Sequence, residues 1–294
     1  MIVGSAFLVV TERKGLGMVQ LRQGPNKAGF KGLVQPVADG LKLLKKEIGF
    51  THFTNFNKFM LGPSFCFLLA CLVWLVFPSY EVSENFELGF LFFLCVSSLN
   101  VYGVFMCGWC CNSRYGLLGA MRGVAQTISY EVVLSTVLFC PLLLMGTFDL
   151  TVARGWSFFN LLIFFEVFVL WIIILMAETN RAPFDFVEGE SEIVSGYSVE
   201  YGGGAFAMIA LAEYSNIFFM SVLSSVFFFS GPCLFLMSVV SDLYISVLSV
   251  LVCYFVIMVR GAYPRFRYDL LMDLCWRIML PFSFCALSFY CCFC

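Results

Sequence analysis

Charge is what this sequence has least of. Asp, Glu, Lys and Arg make up only 12% of its 294 residues, about half the share of a soluble globular domain. Hydrophobic residues reach 61%, with 36 Phe among them, and the mean hydropathy is +0.92. So few charges cannot cover a water-facing surface, so lipid is the solvent for most of the chain. Disorder, a collagen repeat and a secreted disulfide scaffold are excluded on the same grounds. Histidine is scarcer still, since His52 stands alone and cannot supply two axial haem ligands. No Cys quartet has iron–sulfur or zinc spacing, and neither a dinucleotide fingerprint, a P-loop nor a G-x-S-x-G elbow is present. The expectation is a chain without FMN, iron–sulfur cluster, haem or metal, so any electron chemistry belongs to a partner. A net charge of −2 offers no general attraction to nucleic acid.

Cysteine is plentiful, at 14 residues, but carries little chemistry. Cys66, Cys71, Cys95, Cys140, Cys253 and Cys285 lie in apolar runs, where Cys acts as a small hydrophobe. Cys107-Gly108-Trp109-Cys110 spells C-x-x-C without the soluble strand–helix context that a redox motif needs.

Scanning at about 20 residues per span gives apolar stretches near 59–77, 86–111, 124–146, 158–177, 204–229, 242–259 and 275–293, and an eighth at 2–23. The loops between them are too short for a separate soluble domain. Of the 17 basic residues, 16 fall in alternate segments on one side, 11–58, 112–123, 178–203 and 260–277, and only Arg154 falls on the other. The positive-inside rule then places both termini on the outer side. The expected fold is an all-α integral membrane protein, one polytopic domain of eight transmembrane helices plus an interfacial helix.

The first span is unusual. Its apolar run precedes Glu12-Arg13-Lys14, the wrong order for a cleaved signal, and its helix has no strong stop before Gly24-Pro25. Charges inside a span face a cavity or each other, or snorkel at its edge. Further on, apolar residues at 34, 37, 41, 44 and 48, opposite Asp39, Lys42 and Lys46, predict an amphipathic helix over 33–48 lying on the basic side.

Residues 178–201 hold six carboxylates and one Arg, interleaved with Phe184, Phe186, Val187, Ile193 and Tyr197. Crowded, partly desolvated carboxylates raise one another's pKa and share protons. Glu131, Glu166 and Glu213 fall inside spans, where an ionisable residue points to function, and together they could extend the acidic segment into a relay. Gly202-Gly203-Gly204 would let the following helix unwind or pack closely.

The blocks Glu12-Arg13-Lys14-Gly15-Leu16-Gly17, Arg22-Gln23-Gly24-Pro25-Asn26 and Gly32-Leu33-Val34-Gln35-Pro36-Val37-Ala38-Asp39 open a family pattern. It continues through Ala125–Glu131, Ala177–Asp185, Glu188–Glu192, Ala212-Glu213-Tyr214 and Arg260–Asp269. In these blocks the sequence resembles the chain 1 family of NADH-ubiquinone oxidoreductases, the quinone-site membrane subunit of mitochondrial complex I. The resemblance implies a multi-pass protein of the mitochondrial inner membrane that shapes the ubiquinone chamber, with peripheral-arm and adjacent membrane-arm subunits as partners. It implies that Arg13, Asp39, Arg260 and Arg265 lie near the chamber and its entrance. Glu131, Glu178, Glu188, Glu190, Glu192 and Glu213 correspond to an acidic proton channel, with Glu12, Arg181, Asp185, Glu200 and Tyr201 in support. No family acid corresponds to Glu166, and the helix before Glu12 is shorter than in many members. A transporter or channel would also use buried carboxylates, but no internal repeat relates the two halves. A structural anchor for a peripheral enzyme and a relative in membrane-bound hydrogenases are the other readings.

Overall fold

Helices dominate because nearly every apolar run is long enough to need internal satisfaction of its backbone groups in lipid. A computed structural model describes residues 1–47, 49, 56–78, 86–155, 160–187, 189, 196–229 and 238–292. Among them the order is α1 (Ile2–Val19), α2 (Gln35–Lys45), α3 (Phe56–Val73), α4 (Gly89–Cys110), α5 (Arg114–Met145) and α6 (Leu150–Arg154). There follow α7 (Asn160–Ile163), α8 (Phe165–Glu178), α9 (Gly203–Phe229), α10 (Ser238–Ala262), α11 (Tyr268–Asp273) and α12 (Leu280–Cys291). No strand occurs among the described residues.

Among the described residues six helical stretches are long and apolar enough to cross a membrane: Lys58–Val76, Gly89–Cys110, Arg114–Met145, Gly203–Phe229, Val240–Ala262 and Tyr268–Cys291. The α1 helix is as long as a short span but carries Glu12, Arg13 and Lys14. The α8 helix has only 14 residues.

Several boundaries differ from expectation for identifiable reasons. The α5 helix starts ten residues before the expected span, because Ser113 caps it, its Oγ accepting from Gly116 N at 3.2 Å. Segment 112–123 is therefore mostly helix, not loop. The α1 helix ends at Val19, short of Gly24-Pro25, where the chain turns with Leu21 at φ +56° and Arg22 N donates to Gly17 O at 2.8 Å. Near the C-terminus the chain makes a π-helical turn at Leu274–Met279 just before Pro281, where the missing proline N–H disturbs the hydrogen-bond ladder.

Packing runs α3 on α4, α4 on α5, α5 on α8 and α12, and α9 against α3, α10 and α1. One core fills the middle of this bundle around Tyr130, Trp171, Phe90, Phe219 and Phe227. A second joins Phe59, Val104, Cys107, Ala120, Val187, Tyr197, Tyr201, Ile209 and Ala212, so residues from both ends of the acidic segment are built into the packed ends of α3, α4, α5 and α9. The α2 helix has no buried residue, and it exposes Val37, Leu41 and Leu44, as expected of an interfacial helix.

Candidate functional site

The site begins with a charge in an apolar helix. Gly15 lets α1 approach α10 so closely that a Cβ there would lie 2.9 Å from Ile257 Cγ2, and this seats the buried Glu12 between α9 and α10. Tyr214 Oη donates to Glu12 Oε2 at 2.6 Å. Arg181 Nη1 lies 3.4 Å from Glu12 Oε1, and Arg260 Nη1 pairs with the same oxygen. The Arg181 guanidinium also sits 4.5 Å from the centroid of the Tyr214 ring, a cation–π contact. Each ion here would be costly to bury alone. Together, one carboxylate, two guanidiniums and a phenol satisfy one another and hold α1, α9, α10 and the acidic segment at one point.

This cluster forms part of the wall of a cavity of about 590 Å³ lined by residues of α1, α2, α9, α10 and the acidic segment. Its polar lining is Arg13, Asp39, Arg181, Ser198, Glu213, Tyr214 and Arg260, and its apolar lining includes Ala6, Val9, Leu43 and Phe206. The volume is that of a site for an organic ligand, with a few polar groups on an apolar wall. Arg13 Nη1 pairs with Asp39 Oδ2 at 2.7 Å, and Gln35 Nε2 donates to Asp39 Oδ1 at 2.8 Å. The Arg13–Asp39 pair ties the interfacial helix to α1 at the cavity, and Gln35, on the same helix as Asp39, orients the carboxylate.

Glu213 lines the large cavity and a small one of about 30 Å³, which it shares with Asn100, Glu178, Tyr197 and Asn216. Asn100, Glu178, Thr179 and Asn216 line the next, also about 30 Å³, which reaches Ser97. A water needs roughly 10–15 Å³ on this measure, so each small cavity has room for one or two. Glu131 of α5 is close enough to Glu178 for mutual repulsion. Tyr197 Oη donates to Glu213 Oε1 at 2.5 Å. Burial, with the Glu213 charge adding to it, pushes the Tyr197 phenol well above its ordinary 10.0, so it keeps its proton as a donor.

The surrounding residues fix this arrangement from α5. Gln126, fully buried, donates through Nε2 to Ala177 O and Phe184 O, both at 2.9 Å, and so holds the chain on either side of Glu178 and Arg181. A Cβ on Gly119 would lie 2.8 Å from Gly196 Cα, and one on Gly123 would lie 2.9 Å from Val187 Cγ2. These two glycines, one turn apart, receive the acidic segment at Val187 and at Gly196. Tyr201 stacks on Phe59 at 4.2 Å and donates to Cys107 O at 3.1 Å.

Of the residues singled out from sequence, Arg13, Asp39, Arg260, Arg181 and Glu213 meet at the large cavity, and Glu178 joins them through the small ones. Arg265 lies outside that lining and pairs with the buried Asp185 at 3.3 Å. Phe266 N donates to Pro183 O at 3.0 Å, so this stretch clamps the acidic segment from outside. Glu200 is half-buried in the turn before Tyr201. Glu188, Glu190 and Glu192 lie outside the described residues. Glu166, expected inside a span, is exposed in the first turn of α8, where a carboxylate suits the helix dipole. Sequence reasoning missed Tyr214, Gln126, Asn100 and Asn216 as site residues, and the one signal for them is a polar side chain within an apolar run.

The chain matches the profile of the NADH dehydrogenase family over residues 1–291. It is 46% identical over 291 residues to NADH-ubiquinone oxidoreductase chain 1 of Aedes aegypti, covering 98% of this chain and 91% of that one. The same protein of Heterololigo bleekeri is 45% identical over 290 residues, covering 98% and 92%. That of Artemia franciscana is 44% identical over 292 residues, covering 98% and 94%. Apolar spans, the charged cavity and a match over nearly its whole length place this chain in the NADH dehydrogenase family of NADH-ubiquinone oxidoreductase chain 1.

Proposed function

We propose that this chain is the membrane subunit of respiratory complex I that shapes the ubiquinone chamber and its entrance and passes the consequence of quinone reduction to a carboxylate path. The observation that carries the reading is the shared wall: Glu213 lines both the 590 Å³ cavity and the small polar cavity that contains Glu178. Ubiquinone is the substrate, with an apolar body for the Val9, Leu43 and Phe206 wall and a polar head for Arg13, Asp39 and Tyr214. Electrons arrive from partner subunits. Two-electron reduction takes up two protons and develops negative charge in a poorly solvated pocket, where nearby carboxylates respond by changing protonation or position. Glu213 stands where that charge would be felt, and Tyr197, Glu178 and Glu131 give the response a way inward; the family resemblance assigns Glu188, Glu190 and Glu192 to the same path.

In this reading α1 and α8 complete eight spans with the six apolar helical stretches, both termini face the intermembrane space, and the protein resides in the mitochondrial inner membrane. Glu12, Arg181 and Arg260 keep the charged end of α1 compatible with its depth. A photoreactive short-chain ubiquinone added to the intact complex is expected to label peptides of α1, α2 and α9, and excess ubiquinone to protect them. Labelling of other chains only would remove this subunit from the chamber.

A further inference from the structure

A second charged recess lies away from the first. The start of α3, the end of α4 and the start of α5 meet around a cavity of about 420 Å³, lined by Lys58, Trp109, Asn112, Ser113, Arg114 and Leu117 among others. Among the described residues no carboxylate contributes to its lining, and neither Lys58 nor Arg114 is ion-paired with any of them. Two cations that share a recess without a counter-charge repel each other, and an anion between them reverses the sign of that interaction. Ser113 accepts from Gly116 N through its Oγ, which leaves the hydroxyl proton free to donate. The Asn112 amide is exposed beside it. A phosphodiester is the anion that such a mixed set of cations and neutral donors suits best.

The surroundings are those of a membrane interface. All three helix ends adjoin the base-rich segments 11–58 and 112–123. Trp109 is 62% exposed and leans on Phe105 with ring centroids 5.9 Å apart, in the manner of an interfacial aromatic belt. Leu117, Leu118 and Met121 extend an exposed apolar strip along α5 from the cavity. A free phosphate ion would have no use for that strip, whereas an acyl chain would lie along it.

We propose that this corner binds the phosphate of an anionic phospholipid, with Lys58 and Arg114 on the headgroup and Trp109 and Leu117 against the upper acyl chain. The test uses the intact complex in nanodiscs of phosphatidylcholine containing one part in about ten of phosphatidylglycerol, with retained lipid counted by native mass spectrometry. Replacing both cations, K58Q with R114Q, is expected to lower retained phosphatidylglycerol at this site by about thirtyfold, while K58R with R114K retains it. Equal retention by wild type and the Gln pair overturns the proposal. Inorganic phosphate at tens of millimolar should leave the lipid in place, and its displacement of the lipid would make this a free-anion site and overturn the lipid assignment. Should the Gln pair fail to assemble, photoactivatable phosphatidylglycerol on the wild type should label residues 108–117 in preference to the phosphatidylcholine analogue. Equal labelling by both, or an amine cross-link from Lys58 to a partner polypeptide that persists whatever the lipid, also overturns it.

Discussion

Gly119→Ala isolates the contact that seats the end of the acidic segment. The new methyl would lie 2.8 Å from Gly196 Cα and 3.1 Å from both Gly196 C and Tyr197 N, all backbone atoms that cannot rotate away. Ordinary contact begins near 3.4 Å, so Gly196 must retreat by about 0.6 Å. Gly196 holds φ +56°, a region that limits how the turn can rearrange. A displacement of that size along the Tyr197–Glu213 hydrogen bond, 2.5 Å long, stretches it to the limit of a good O–H···O bond. Overpacking of this kind costs about 1–3 kcal/mol. If the cost falls on the arrangement that turns over, coupled quinone reduction slows by about fivefold to about 150-fold. The assay is NADH-driven quinone reduction in sealed membrane vesicles, with assembly followed on a native gel. Gly204→Ala is the control, because nothing lies within 4 Å of a Cβ there, and Tyr197→Phe should reproduce the defect without the steric clash. An assembled Gly119→Ala complex that turns over like Gly204→Ala would refute the reasoning.

Other consequences follow from the same geometry. Gln126→Leu removes the side-chain donor from the Ala177 and Phe184 carbonyls, which keep only the Asn180 and Phe186 amides, at about 0.5–1.5 kcal/mol for each bond lost, so hydrogen exchange should accelerate across residues 176–187; unchanged protection would count against Gln126 as the clamp. Glu12→Gln leaves Arg181 and Arg260 without their shared carboxylate. Breaking a buried pair costs about 3–5 kcal/mol, less here because Arg260 is a quarter exposed, and the expected result is faster thermal loss of activity from the assembled complex. Asp39→Asn removes only a half-exposed pair, worth about 1 kcal/mol or less, so it should raise the KM for quinone while leaving thermal inactivation unchanged. Tyr197, with its pKa raised above 10.0, binds its proton more tightly folded than unfolded. Its contribution to stability is therefore complete below pH 10 and is lost as pH rises beyond that through the folded value. An absorbance titration near 295 nm should show no difference between wild type and Tyr197→Phe at or below pH 10.

Much of this was legible because charge in an apolar sequence has few places to go. Arg13, Asp39 and Arg260 stood out through the family resemblance, and they line one cavity. Glu12 stood out as a charge inside a span, but its place as the shared partner of two arginines from distant segments needs tertiary structure. Tyr214 and Gln126 were harder. A tyrosine or glutamine in an apolar run has no periodic signal to separate a site residue from a satisfied core residue, and the partners of Gln126 are more than 50 residues away. The start of α5 was misplaced because Arg114 and Arg122 made a capped helical turn look like a basic loop. Gly119 and Gly123 fell in the expected basic loop 112–123, and their use emerges only where the acidic segment comes against them.

The joining of the quinone cavity to the carboxylate path through Glu213 is the central claim, and the proton-to-quinone ratio of Glu213→Gln in sealed vesicles tests it most directly. With assembly intact and quinone still protecting the α1, α2 and α9 peptides from photolabelling, the account predicts fewer protons translocated per quinone reduced than in wild type. An unaltered ratio would contradict it and separate the cavity from proton translocation.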